Sequence, residues 1–335
     1  MSSRLLRNNL RELLCVAACM PAMLCAPIAF AQQQQPPLPQ DDVIRIKVDA
    51  VSVRVSVMDA KGRPITGLCK SDFRVLDNHV ERPLTGFDES NDPAQIVFLV
   101  ESSPSVYFLR KAYLAAAQGL VAGLSPADRI AVVSYSTAPS LVLGFTPDKQ
   151  LALAALGGMQ VDYVKGYLDL NLSSSLQMTL GWLNSLPGEK TIVLISSGID
   201  ASVKEREILE RKLEASDTRV LAVSSLSNLR ATPKEAKRSG LSRQDQVWLQ
   251  GEFATADSSL REVAAVTGGS VYFPRTAQDL NHALTAIVQL TRQDYLLTFD
   301  PAARDGQVHS IEVKVNHRAH SVTYRRAYLA PPPAN

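Results

Sequence analysis

Cysteine is all but missing from most of this chain. Of its 4 cysteines, Cys15, Cys19 and Cys25 lie in an N-terminal segment and only Cys69 follows. One remaining thiol excludes an internal disulfide and a thiolate metal cluster, and Cys69 is expected to be a small buried residue. Histidine is scarce as well. His79, His309, His317 and His320 fall in stretches that alternate like β-strands, and His282 falls in a helical pattern. None is positioned to activate a serine or to cluster as zinc ligands. There is no Gly-x-Ser-x-Gly elbow and no phosphate loop. The chain therefore reads as non-enzymatic, with a hydrolase as the remotest alternative. Net charge is small too. The formal +2 is carried wholly by Arg4, Arg7 and Arg11 against Glu12, which leaves the rest near neutral. That argues against electrostatic capture of nucleic acid or anionic membrane.

What is present begins with a targeting pattern. Three arginines precede the largely apolar Leu13–Ile28, and Ala29-Phe30-Ala31 fits the small-x-small cleavage rule. Residues 1–31 are expected to be a signal peptide. Pro21 and Pro27 argue against a membrane anchor, and the apolar run beyond Cys19 argues against a lipoprotein site. The expected destination is the periplasm, the cell envelope or the exterior, with no transmembrane segment after cleavage. Residues 32–42 form a Gln/Pro-rich linker.

Three regions follow. Residues 43–90 alternate apolar and polar residues (Ile44, Ile46, Val48, then Val51 to Val57), break at Asp59-Ala60-Lys61-Gly62, and resume around Phe73 and Val80–Phe87. This is the period of half-buried strands. Residues 91–292 alternate wholly apolar strands with helical patterns, which implies a mostly parallel sheet covered on both faces. In that region Ser224–Ala256 reads as a long polar loop holding a short helix near Arg243–Glu252, with Trp248 packing down, before a helix at Ser258–Thr267. Residues 293–330 return to alternation at Tyr295–Phe299, Ser310–Val315 and Ser321–Tyr328, with Asp305-Gly306 as a turn, and 331–335 form a tail. Neither terminal segment can build a two-layer core alone. The expectation is one small β-sandwich of N- and C-terminal strands into which an α/β, doubly wound, Rossmann-like domain is inserted.

The chain is organised around Gln95–Val106. Ile96–Val100 is an unbroken apolar run, ending in Glu101 and the small hydroxyl residues Ser102, Ser103 and Ser105 before a helical pattern. A strand, polar turn and helix in an open α/β sheet present ligand-binding groups at the strand's carboxyl end. Glu101, Ser103 and Ser105 can aim oxygens at one point there, which suits a hard divalent cation.

With these residues in hand, the α/β region resembles a von Willebrand factor type A domain of the exported bacterial group labelled VWFA-related. The resemblance rests on Asp59–Leu68 followed by Ser71-Asp72-Phe73, on Leu124–Val133 with Phe145-Thr146, on Glu189–Gly198, and on Thr267-Gly268-Gly269 with Tyr295–Pro301. It covers nearly all of the chain beyond the signal.

The resemblance implies a metal-ion-dependent adhesion site with the pattern Asp-x-Ser-x-Ser, a threonine in a middle loop and an aspartate in Thr-Asp-Gly. Ser103 and Ser105 match the two serines. Glu101 stands for the first aspartate, with its carboxylate about 1.5 Å further out. Ser197 stands for the second aspartate, and Lys165 falls where the threonine belongs. With this loss of negative charge, Glu101, Ser103, Ser105 and Ser197 are expected to form a degenerate site, and no cofactor is expected. A residual Mg2+ site, helped by Asp162, Asp169 or Asp200, is the alternative. A Lys165 ammonium paired with Glu101 in place of the cation is a further possibility, beside Lys165 lying in solvent.

The resemblance further implies a protein-interaction module, an adhesion or scaffold protein. Its partner protein would dock at the carboxyl rim on Glu101, Ser103, Ser105, Lys165, Tyr167, Ser197 and Asp200, with Tyr107 and Tyr163 as additional aromatic anchors. Oligomeric state is not legible.

Overall fold

The wholly apolar runs become the centre of the molecule. The computed structural model describes residues 50–60, 63–90, 93–107, 110–160, 170–227, 242–291, 293–316 and 321–333. Asp49–Asn335 form one compact unit. The expected signal peptide and linker, the strand residues before 50, and Asp162, Tyr163, Lys165, Tyr167, Asp169, His317 and His320 lie outside the described residues.

In chain order, β1 (Val51–Met58), β2 (Phe73–Asp77), β3 (Val80–Arg82) and β4 (Leu84–Ser90) come first. The α/β body then runs β5 (Ala94–Glu101), α1 (Pro104–Tyr107), α2 (Arg110–Gly123), β6 (Arg129–Tyr135), β7 (Pro139–Thr146), α3 (Lys149–Gly158) and α4 (Leu172–Leu183). It continues with β8 (Glu189–Ser196), α5 (Val203–Ala215), β9 (Arg219–Ser224), α6 (Arg243–Val266), β10 (Val271–Tyr272) and α7 (Ala277–Leu290). The chain closes on β11 (Asp294–Phe299), β12 (Val308–Val315), β13 (Ser321–Thr323) and β14 (Ala327–Leu329).

The central sheet has the order β10-β9-β8-β5-β6-β7. β7 is antiparallel to β6 and the other pairings are parallel. The direction of winding reverses between β5 and β8, the position where open α/β sheets leave a crevice at the strands' carboxyl ends. Why β5 has no polar face is now plain. Ile96, Phe98 and Val100 pack under α2, α3 and α7 with Leu120, Leu156, Leu284 and Ile287. Val97 and Leu99 point the other way, onto Leu176 and Leu180 of α4, Leu209 of α5 and Leu260 of α6. Each such fully buried side chain contributes about 1.5–3 kcal/mol, so a polar substitution anywhere in Ile96–Val100 breaks one layer or the other. Caps fix the helix starts. Asp148 accepts the Gln150 and Leu151 amides at 2.9 and 3.0 Å, and Thr276 with Asp279 forms a reciprocal capping box.

The terminal strands interleave as expected. One four-stranded sheet has the order β13-β1-β11-β4 and the other β14-β12-β2-β3, so each takes strands from both ends of the chain. Val53 pairs with Leu297 in the first and Val75 with Val313 in the second. Between them lies a separate core of Val53, Val55, Phe73, Val75, Leu297 and Phe299, with the Phe73 and Tyr295 rings 5.0 Å apart. The sandwich meets the body at Gly268. That residue has φ +67, and a Cβ on it would sit 2.2 Å from the Tyr324 carbonyl carbon. Only glycine accepts that approach.

Four local expectations are corrected. The short helix near Arg243–Glu252 and the helix at Ser258–Thr267 are one 24-residue helix, α6, capped by Ser242; its lone Gly251 is tolerated because nothing else interrupts the run. Trp248 does not pack down but is 63% exposed, since no residue from Arg243 to Thr255 is buried. Ser321–Tyr328 is two strands in different sheets, not one. Cys69 is exposed, on a surface turn where its amide donates to Asp72 Oδ2 at 2.8 Å. No helix among the described residues is long and apolar enough to cross a membrane.

Candidate functional site

Three adjacent strands end together at the rim. Parallel register sets Glu101 of β5 beside Tyr135 of β6, and Val100 beside Ile195 of β8, one residue before Ser196. Glu101 is fully buried. Its longer arm, compared with an aspartate, carries the carboxylate sideways to the β8 turn instead of out over the rim. There Oε2 accepts the Ser197 backbone N–H at 2.7 Å and the Ser197 hydroxyl at 2.6 Å. The Tyr135 and Ser196 hydroxyls each lie 3.3 Å from the same oxygen and 2.7 Å from one another. The other oxygen, Oε1, accepts the Ser103 hydroxyl. A carboxylate has about four lone-pair sites, and protein donors reach both of its oxygens here.

The turn that delivers these donors depends on Gly198. Its φ is +81, and a Cβ would lie 2.3 Å from the Ala256 carbonyl oxygen. Gly198 N in turn donates to Ser196 Oγ at 2.9 Å, and Ile199 N donates to Ser197 Oγ at 3.2 Å. The cluster is buried as a whole. Burial, and after it the Glu101 charge, pushes the Tyr135 phenol well above its ordinary value; the same two causes raise Tyr113. Both phenols therefore stay neutral across the physiological range.

The residues singled out in the sequence have different fates. Glu101, Ser103 and Ser197 come together but are all buried, so the exposed surface at the rim is made by their neighbours. Ser105 lies in the backbone turn α1 with Tyr107. Asp200 is half-buried and turns away from the cluster: it accepts Ser202 N at 3.2 Å and the Ser173 hydroxyl. The pairing of Lys165 with Glu101, like Tyr167, lies outside the described residues. Glu101 already accepts internal donors, Ser197 brings no charge, and among the described residues no group of three His, Cys, Asp or Glu side chains could hold a metal ion.

Sequence reasoning missed Tyr135 and Ser196. Both end apolar strands, and aligning the strand ends in parallel register is the signal that finds them. It also missed a polar cluster in the sandwich. His309 is buried, with Nδ1 2.9 Å from Asp77 Oδ1 and Nε2 3.2 Å from Asp305 Oδ2, and Tyr328 donates to Asp77 Oδ2 at 2.8 Å.

The rim also carries an apolar recess. A cavity of about 60 Å3 beside Glu101 is lined by Phe98, Val106, Leu114, Leu156 and Met159. Around its mouth Ser102, Val106 and Met159 are half-buried and Gln160 is exposed.

No protein-family model and no curated protein matches the chain. Among solved structures it is similar to the conserved hypothetical protein BatB from Bacteroides thetaiotaomicron, at 12% identity and TM-score 0.42, over 60% of this chain and 100% of that one. It is similar to the vWF domain of the type V pili tip protein Mfa5 from Porphyromonas gingivalis, at 13% identity and TM-score 0.42, over 60% and 96%. A von Willebrand factor type A protein from Catenulispora acidiphila is similar at 10% identity and TM-score 0.43, over 84% and 72%. The strand order, the single antiparallel strand β7 and the two polar turns meeting after β5 and β8 give the body a von Willebrand factor A-like fold.

Proposed function

We propose that this chain is an exported, non-enzymatic interaction module that docks a protein partner at the carboxyl rim of the central sheet without a divalent ion. The observation behind this reading is the Glu101 carboxylate turned inward onto Ser197, beside an apolar recess that opens at the rim. A bridging cation needs open carboxylate oxygens, whereas a recess lined by Phe98, Val106, Leu114 and Met159 suits an apolar anchor from a partner. Half-buried Ser102 and exposed Gln160 supply a polar edge around it. Catalysis is disfavoured because Ser196 and Ser197 are buried and face Glu101 and Tyr135, with no histidine bonded to them among the described residues. Export rests on the basic, apolar and small-residue pattern of residues 1–31.

A photo-crosslinking residue placed at Gln160 tests the reading in the producing cell. The expected result is a discrete protein adduct that survives chelation by EDTA and is lost when Met159→Arg fills the recess mouth. An adduct abolished by EDTA, or one formed from Leu141 on the sheet edge but never from Gln160, would contradict it.

A further inference from the structure

At the other end of the central sheet, where β8 and β9 begin, the body faces the sandwich across a cavity of about 210 Å3. Its lining includes Arg54, Glu189, Asp217, Arg219 and Arg325. One water needs about 10–15 Å3, so there is room for a small polyatomic ion. Three guanidiniums converge here from β1, β9 and the segment before β14. Their carboxylate partners are already engaged. Asp294 accepts Arg219 Nη1 at 2.6 Å, and Asp217 accepts Lys190 Nζ at 3.1 and 2.8 Å.

Arg54 and Arg325 are left incompletely met. Arg54 Nε lies 3.5 Å from Glu189 and 3.9 Å from Asp294 but hydrogen-bonds neither. Arg325 donates only to the Ser52 carbonyl at 2.8 Å and, at 3.5 Å, to the Ser216 carbonyl, with its buried Nε unpartnered. Burial holds both guanidiniums below the usual arginine range, and Arg54 and Arg325 repel one another. Around the cavity, the cations Arg54, Lys190, Arg219 and Arg325 outnumber the carboxylates Glu189, Asp217 and Asp294. Buried donors without acceptors in a site of net positive charge are what an anion relieves.

We propose that this cavity binds a small oxyanion of the phosphate or sulfate type, held by the outward donors of Arg54 and Arg325 and tying the sandwich to the α/β body. The proposal is independent of partner docking at the rim. The test is calorimetry and thermal unfolding of the purified chain with sodium phosphate, sodium sulfate and sodium acetate, each against sodium chloride at matched ionic strength.

The expected result is saturable binding of phosphate or sulfate, with a rise in melting temperature that chloride does not reproduce; the tighter of the two identifies the ion. Arg325→Gln should weaken that binding about tenfold or more. Asp217→Asn, at a largely exposed side chain, should tighten it several-fold by removing a competing carboxylate. A response reproduced by chloride or limited to acetate overturns the proposal, as does unchanged affinity in Asp217→Asn, which decides the matter should Arg325→Gln fail to fold.

Discussion

The Glu101 carboxylate accepts the backbone N–H of Ser197 at 2.7 Å, and together with the Ser197 hydroxyl at 2.6 Å that bond ties the turn after β5 to the turn after β8. It exists because the side chain at the end of β5 is one methylene longer than an aspartate and because Gly198 lets the β8 turn bend toward it. A residue type that reads in the sequence as a poor ligand is, in the structure, a good internal acceptor.

Removing that acceptor charge should therefore cost stability. Glu101→Gln sets an amide donor against the Ser197 amide and three hydroxyls, and hydrogen bonds to a charged group are worth about 1.5–3 kcal/mol. Urea denaturation should report a loss of that order. A variant as stable as the wild type would mean that the cluster is not formed.

The turn itself should not tolerate a side chain. Gly198→Ala combines a left-handed backbone with a Cβ 2.3 Å from the Ala256 carbonyl oxygen. The backbone term alone is about 1–2 kcal/mol, and the close contact adds to it. Thermal unfolding of this variant should fall clearly below that of Gly181→Ala, a helix position where a Cβ meets nothing within 4 Å.

The sandwich should lose stability as pH rises through neutrality. Burial opposes charging of His309, yet hydrogen bonds to Asp305 and Asp77 and their charges hold the imidazole above its ordinary value. A value raised in the folded state stabilises fully below the unfolded value, about 6.5, and the benefit is lost as pH rises through the folded value. Asp305, held below the ordinary carboxylate value chiefly by the Gln307 amide and then by His309, works in the opposite sense: its contribution is present above about pH 4 and is lost as pH falls. The two together favour roughly pH 4 to 6.5. Denaturation midpoints across pH 5 to 8.5 should slope downward for the wild type, and His309→Gln should flatten the slope. Parallel curves for the two proteins would remove His309 as the cause.

Trp248 should be dispensable for stability. With 63% of its surface exposed, Trp248→Ala should change unfolding free energy by no more than about 0.5 kcal/mol, and its fluorescence should be readily quenched by acrylamide. A loss of about 3–5 kcal/mol, the cost of truncating a buried tryptophan, would show that it packs against the body after all.

Much of this architecture was legible because burial on two faces leaves an unmistakable mark. Ile96–Val100 and Ile192–Ile195 have no polar face, and each lies between two helical layers. The sandwich could be inferred because neither terminal segment had enough apolar residues alone. What escaped was whatever depends on pairing across long sequence distances. Tyr135 joins Glu101 only through the β5–β6 register, and His309 meets Asp77 only because Ile311 pairs with that residue, far along the chain. The first half of α6 was misread for a different reason. It has no buried face, so hydrophobic spacing shows neither its continuity with the Ser258–Thr267 helix nor the exposure of Trp248.

The most direct test of the central claim is a calorimetric titration of the purified protein with Mg2+ and Mn2+, run beside the triple variant Glu101→Asp, Lys165→Thr, Ser197→Asp. The account predicts no heat beyond dilution from the wild type and saturable binding by the variant, whose shorter acid and restored second carboxylate leave oxygens facing outward. Saturable binding by the wild type that Glu101→Gln abolishes would contradict it.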